Sequence, residues 1–134
     1  MLDEMTALQA KIDALYKKLE IEINTKKVLE ELGFPIQEKG CAYLIFAVKT
    51  ASKDSNLLTK PQLLYKELAQ TCAVSSKEIK KEIGRLLARL WQRERFLRLN
   101  DKSNTKYNVF SESTPTNEAF IAWLMEIALA ETKK

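Results

Sequence analysis

The chain has 134 residues, is 46% hydrophobic and 30% charged, and carries three glycines, three prolines and a net charge of +4. That is enough for one domain with an appendage, too apolar for a disordered chain, and weighted by Leu, Lys, Glu and Ala toward helix rather than sheet. It has no histidine and two cysteines, which excludes imidazole general bases and imidazole metal sites, and two scattered thiols cannot form a structural zinc site alone.

In chain order, the N-terminal MLDEMTALQA has early acids and no basic stretch, so it is not read as a secretory signal. No apolar run reaches the ~20 residues needed to span a bilayer. Met5, Leu8, Ile12, Leu15 and Leu19 then recur at alternating spacings of three and four, the a/d seam of a heptad pattern, with Lys11, Asp13, Lys17 and Lys18 outside it. The seam covers about three heptads, marginal for an isolated coiled coil. It either pairs with a second copy, making a homodimer, or packs on the protein's own core. Asn24 or Thr25 is placed to cap a new helix that holds Val28, Leu29 and Leu32 and stops at Gly33 and Pro35. Whether residues 2–32 make one helix or two is left open.

Residues 39–53, KGCAYLIFAVKTASK, are apolar on most sides and predict a central core helix, with a buried strand as the alternative. Cys41 lies in this helix and Cys72 near the end of the following one, and both are expected to be free thiols. After a turn at 54–56, Thr59 to Pro61 open a helix that runs through Leu63, Leu64, Leu68 and Ala69 to about Thr71. Ala73 occupies the tight turn that follows. Ser75 and Glu78 have the S-x-x-E spacing of a capping box, which predicts a helix from about Ser76 to Arg93. Residues 94–116 read either as a hairpin or as a loop with a short helix. The turn at 113–117 caps a last helix holding Phe120, Ile121, Trp123, Leu124 and Ile127. Tyr65, Trp91 and Trp123 have apolar neighbours at helical spacing and are read as core residues rather than stacking platforms.

The charge is distributed unevenly. Residues 1–38 hold five lysines and eight acids, net −3, whereas residues 60–98 hold ten Lys or Arg and four Glu, net +6. All five arginines (Arg85, Arg89, Arg93, Arg95, Arg98) fall in this second window. Two helices joined by a short turn, the second one basic, form the arrangement of a helix-turn-helix. On the second helix Ile79, Ile83, Leu86, Leu87 and Leu90 share one face, and Lys77, Lys80, Lys81, Gly84, Arg85 and Ala88 the opposite one. Long cations around two small residues suit a helix backbone that comes close to a groove while Lys and Arg reach phosphates and base edges. Gly84 costs ~1 kcal/mol in a helix interior relative to Ala, explained either by such an approach or by packing against another helix. Ser76, Lys77, Lys80, Lys81, Gly84, Arg85 and Arg89 are the candidate contacts to double-stranded DNA. Arg89 and the arginines beyond it are read as backbone grips.

From Asn24 to Leu129 the chain resembles the C-terminal DNA-binding effector domain of the stage 0 sporulation response regulator, the master regulator of endospore formation. NTKKVLEELGFPIQEKG, LLYKELAQTCAVSSKEIKKEIGRLLARLW and PTNEAFIA carry the resemblance, the last most specifically. The resemblance implies a helical bundle around a helix-turn-helix, docking of residues 76–91 in the major groove, and cytoplasmic transcription control in a spore-forming bacterium, its phage or its plasmid. Two departures qualify it. About 23 residues precede the resemblance, too few for the family regulator's receiver domain, so the heptad seam is expected to supply dimerisation in place of phosphorylation. The family's base-reading Glu, Arg, Arg and His fall on Lys80, Lys81, Gly84 and Arg85, so its target sequence is not carried over.

The expectation is therefore an all-α, compact helical bundle with a central helix-turn-helix. Residues 1–23 form an amphipathic, dimerising helix and residues 24–134 a DNA-binding domain. No cofactor, metal, membrane or small-molecule ligand is evident, and no constellation of acid, base and nucleophile points to an enzyme. The alternative function is an interaction module that assembles with a sporulation-type regulator without specific DNA binding.

Overall fold

In a computed structural model, which describes residues 2–91 and 114–132, the first element is also the longest. Helix α1 runs from Leu2 to Glu31 without a break, 30 residues and roughly 45 Å long. Of the two possibilities left open for residues 2–32, the structure takes one helix, and no second start occurs at Asn24 or Thr25. Thr25 is buried mid-helix and its hydroxyl donates to the Ile21 carbonyl at 2.6 Å, so it is satisfied by the preceding turn and caps nothing. Asn24 Nδ2 instead reaches the Ala128 carbonyl of the last helix, 3.3 Å away. The boundary drawn at 23/24 thus falls inside one continuous helix. Burial changes near it: residues 3–20 are exposed throughout, whereas Ile21, Thr25, Val28 and Leu29 are buried. Gly33 ends the helix with φ 83°, and the Phe34 amide returns to the Leu29 carbonyl.

Helix α2, Lys39–Lys53, is the central element, as its all-round apolarity predicts. Cys41, Leu44, Ala47, Val48 and Ala51 are wholly buried in it, and Phe46 reaches the surface, where Lys49 lies over its ring. Gly40 brings α2 onto the backbone of a later helix, since a Cβ there would lie 3.1 Å from the Glu82 carbonyl oxygen and 3.1 Å from Leu86 Cδ2. Asp54 caps a short 3-10 turn over Ser55–Leu58. Helix α3, Pro61–Cys72, begins with Pro at its first position and ends at Ala73, a left-handed residue with φ 57°. Helix α4, Ser76–Leu90, starts on the Ser75 side chain, which accepts from the Glu78 amide.

α4 ends at Leu90, three residues before the predicted Arg93. Trp91 turns to extended backbone because its ring packs edge-on against Phe120, with centroids 6.1 Å apart. Phe34 and Trp123 flank the same Phe120 ring, so four aromatics join the end of α1, the end of α4 and the last helix. That last helix, α5, spans Asn117–Thr132. It starts on Thr116, whose Oγ1 accepts from the Ala119 amide and whose carbonyl accepts from Phe120. α5 lies along the second half of α1, and α2 packs on all four other long helices. The described residues contain helices and no strands, an all-α fold. None of these helices is long and apolar enough to cross a membrane. Of the candidate hairpin or loop at 94–116, residues 94–113 lie outside the described residues, as do the arginines 93, 95 and 98.

Candidate nucleic-acid interface

α4 is fixed from beneath by its apolar face. Ile79, Ile83, Leu86 and Leu87 are all but inaccessible, at 0–2% exposure, against α2, α3 and α5. The turn before it is locked to α3, since the Ala73 and Val74 amides both reach the Ala69 carbonyl and Ser76 Oγ donates to the Tyr65 carbonyl at 3.3 Å. With one face held and both ends tied, the opposite face has a fixed direction. Lys77, Lys81, Arg85 and Ala88 point outward from it and all are exposed.

The other predicted contacts divide between the two flanks. Lys80 leans toward α3 and α5, its ammonium 5.0 Å from the centre of the Tyr65 ring. Gly84 lies on the same flank and is half-covered by Asn117, whose Nδ2 donates to the Lys80 carbonyl at 3.0 Å. A Cβ at Gly84 would sit 3.8 Å from Asn117 Oδ1, an ordinary contact, so packing against α5 does not demand glycine. Arg89 leans the other way, toward α2, and its guanidinium bonds Glu38 at the start of that helix. Ser76 is half-buried and its hydroxyl is engaged by α3. Thus the outward face joins Lys77, Lys81 and Arg85, with Lys80 and Gly84 at one margin and Arg89 at the other. The seam residues Met5, Leu8, Ile12, Leu15 and Leu19 lie on the projecting half of α1 instead.

The ion pairs on this surface are weak. Arg85 lies 3.6 Å from Glu82 and Arg89 bonds Glu38, with all four side chains partly or largely exposed. Exposed pairs contribute about 0–1 kcal/mol, so either arginine can exchange its carboxylate for a phosphate at little cost. Among the described residues Lys77 and Lys81 have no carboxylate within ion-pairing distance.

The sequence reading missed Asn117 as a strut between α5 and α4. Its signal was the Pro115-Thr116-Asn117 run: Thr caps the helix and the next side chain is left to reach a neighbour. Beside it the Tyr65 hydroxyl is wholly buried with no hydrogen-bond partner among the described residues, and burial, then the Glu118 charge, holds its pKa far above the ordinary phenol value. Cys41 and Cys72 are free. Burial, then the charge of Glu38, pushes the Cys41 thiol up to about 11, and burial also raises Cys72, so neither thiol is activated.

The family described as sporulation initiation factor Spo0A C terminal matches residues 23–127, most of the chain. The chain belongs to that family. It is a family of DNA-binding effector domains of a sporulation regulator, concerned with transcription control and not with catalysis. All the described parts of α2 to α4 fall inside the match, as does α5 to Ile127, whereas the projecting part of α1 precedes it. A search of curated proteins gives no match.

Proposed function

We propose that this protein binds double-stranded DNA as a sequence-specific transcription regulator, inserting α4 into the major groove. The observation that carries the reading is the outward face of α4. Lys77, Lys81 and Arg85 stand on a helix held rigidly by its buried side, and small Ala88 lies between the cations. A rigid helix of this length enters the ~12 Å major groove, where Lys and Arg reach guanine edges and phosphates. In this role Arg85 and Lys81 read bases, and Lys77, at the helix start, meets phosphate. Lys80 and Arg89, one at each margin, meet the two walls of the groove. Because the family's reading residues are replaced here at Lys80, Lys81, Gly84 and Arg85, the sequence read is this chain's own.

Selection from a random duplex library, followed by titration of the selected site, tests this. Replacing Lys80, Lys81 and Arg85 together with Ala is expected to lower affinity more than about a hundredfold, at ~1–3 kcal/mol per base contact. Each lost phosphate contact is expected to reduce the slope of log affinity against log salt by about 0.9. The three side chains are exposed, so thermal unfolding should not change. A wild-type chain that binds no duplex at low salt refutes the reading. One observation favours a second one, an interaction module that assembles with a sporulation-type regulator. Two of the family's four base-reading positions, at Lys80 and Gly84, lean toward Tyr65 and Asn117 rather than outward. A stable protein partner together with no selected DNA site would favour that alternative.

A further inference from the structure

The first half of α1 is an amphipathic helix whose apolar side meets nothing else among the described residues. Met5, Leu8, Ile12, Leu15 and Leu19 are 37–69% exposed, and Ile23, at 52%, continues the stripe to the edge of the bundle. At 100° per residue the stripe occupies an arc of roughly 80°. Ile21, Thr25, Val28 and Leu29, which seat the same helix in the bundle, are centred roughly 140° away. The stripe therefore faces away from the protein's own core, and an unbroken helix cannot turn it back. Of the two readings the heptad pattern allows, packing on the chain's own core is not what this structure adopts.

We propose that the stripe is covered by a second copy of the chain, in a parallel two-stranded coiled coil over residues 5–23. A seam spaced three and four is complementary to itself, each side chain entering a hole between four residues of a like helix. Ile12 at an a position, with Leu8 and Leu15 at d, is a combination that suits two parallel strands. The charges beside the seam agree. Glu4, Lys11 and Lys18 occupy its g side, and Gln9, Tyr16 and Ile23 its e side. In parallel pairing g faces e of the copy, so each charge meets an uncharged neighbour and no like charges are apposed. An antiparallel pairing centred on the seam brings Lys11 beside its own copy and leaves Ile23 beyond the overlap. A lipid surface suits the helix poorly, since residues 2–20 carry three lysines and four acids and have no net attraction to anionic headgroups.

In this arrangement the two bundles lie on the outer sides of the pair and at the same end of it. Three heptads make a concentration-dependent dimer in the micromolar range rather than a permanent one. One corollary, unlike the pairing itself, rests on the DNA-binding reading: two α4 helices at one end of a short rod require two half-sites.

Sedimentation equilibrium of the full chain without DNA, from micromolar to millimolar concentration, tests the pairing independently of that reading. The mass is expected to rise from 15.4 kDa toward twice that value. The double variant Leu8→Lys, Leu15→Lys should stay at the monomer mass throughout. Because both side chains are exposed in the single chain, its unfolding midpoint in dilute solution should equal that of wild type. A wild-type chain that remains monomeric at millimolar concentration overturns the proposal, and so does a dimer insensitive to the two lysines. Orientation is read with Met5→Cys in a Cys72→Ser background, which should form an interchain disulfide on mild oxidation. A dimer that fails to cross-link there overturns the parallel alignment.

Discussion

α4 and the first half of α1 carry the same kind of pattern, apolar residues three and four apart with charges elsewhere, yet they end in opposite environments. Ile79, Ile83, Leu86 and Leu87 of the α4 stripe are 0–2% exposed, and the stripe of α1 is 37–69% exposed. Periodicity says which residues share a face and is silent on what covers that face. The difference comes from elsewhere in the chain. α4 is preceded by a left-handed turn at Ala73 and followed by Trp91, both of which return the chain to the bundle. Among the described residues the N-terminal half of α1 is tied to the bundle only at its far end, through Ile21, Glu22, Asn24 and the residues after them. A covered stripe holds its opposite face in a fixed direction. An uncovered one is itself the surface offered.

Truncating one residue from each stripe separates the two environments most strongly. Ile83→Ala is expected to cost 2–5 kcal/mol, as buried Ile truncations do, a large share of the 5–15 kcal/mol that stabilises a typical domain. Leu15→Ala, measured in dilute solution by the same thermal or denaturant melt, is expected to fall within about 0.5 kcal/mol of wild type. A loss of more than about 1 kcal/mol at Leu15 would mean that the chain covers the stripe itself.

Gly40 of α2 packs against α4, whereas Gly84 of α4 faces Asn117 of the last helix. At Gly40 an added Cβ would meet a backbone carbonyl and Leu86 at 3.1 Å, and the backbone of α4 has little room to yield. The helix-propensity gain of ~1 kcal/mol is set against an overpacking cost of about 1–3 kcal/mol. Gly40→Ala is therefore expected to destabilise by about 1 kcal/mol, read as a lower unfolding midpoint. Since α4 is the element displaced, affinity for a selected duplex should fall with it.

These residues also mark how far the sequence could be read. The helices at 61–72, 76–90 and 117–132 were legible because start signals and periodicity agreed: Pro61 at a first turn, Ser75 three before Glu78, Thr116 before the last helix; the one at 39–53 was read from its all-round apolarity, which a buried strand would have shared. Thr25 left the choice between one helix and two open because a Thr hydroxyl can cap a helix or bond back to the preceding turn, and only the surroundings choose. The end of α4 was set too late because Trp91 leaves the helix for an aromatic cluster built from three distant segments. The role of Gly40 was invisible for the same reason. In the candidate site, the apolar and basic sides of α4 were legible. The sideways lean of Lys80, Gly84 and Arg89 was not, since it has meaning only once Asn117 and Glu38 are known to stand beside them.

Gly84 gives the smallest expected effect and the finest test. Its described surroundings do not demand glycine, because among the described residues a Cβ would meet only Asn117 Oδ1 at 3.8 Å. Gly84→Ala is therefore expected to stabilise the fold by up to ~1 kcal/mol, the helix-propensity difference. If α4 approaches the floor of a groove at this point, the same methyl group should weaken duplex binding while the melting temperature rises. Stability and affinity would then move in opposite directions from one added carbon. Destabilisation would show that Gly84 is required for packing. Stabilisation with unchanged affinity would place the closest approach to DNA elsewhere on α4, toward Ala88, where a methyl group is already accommodated.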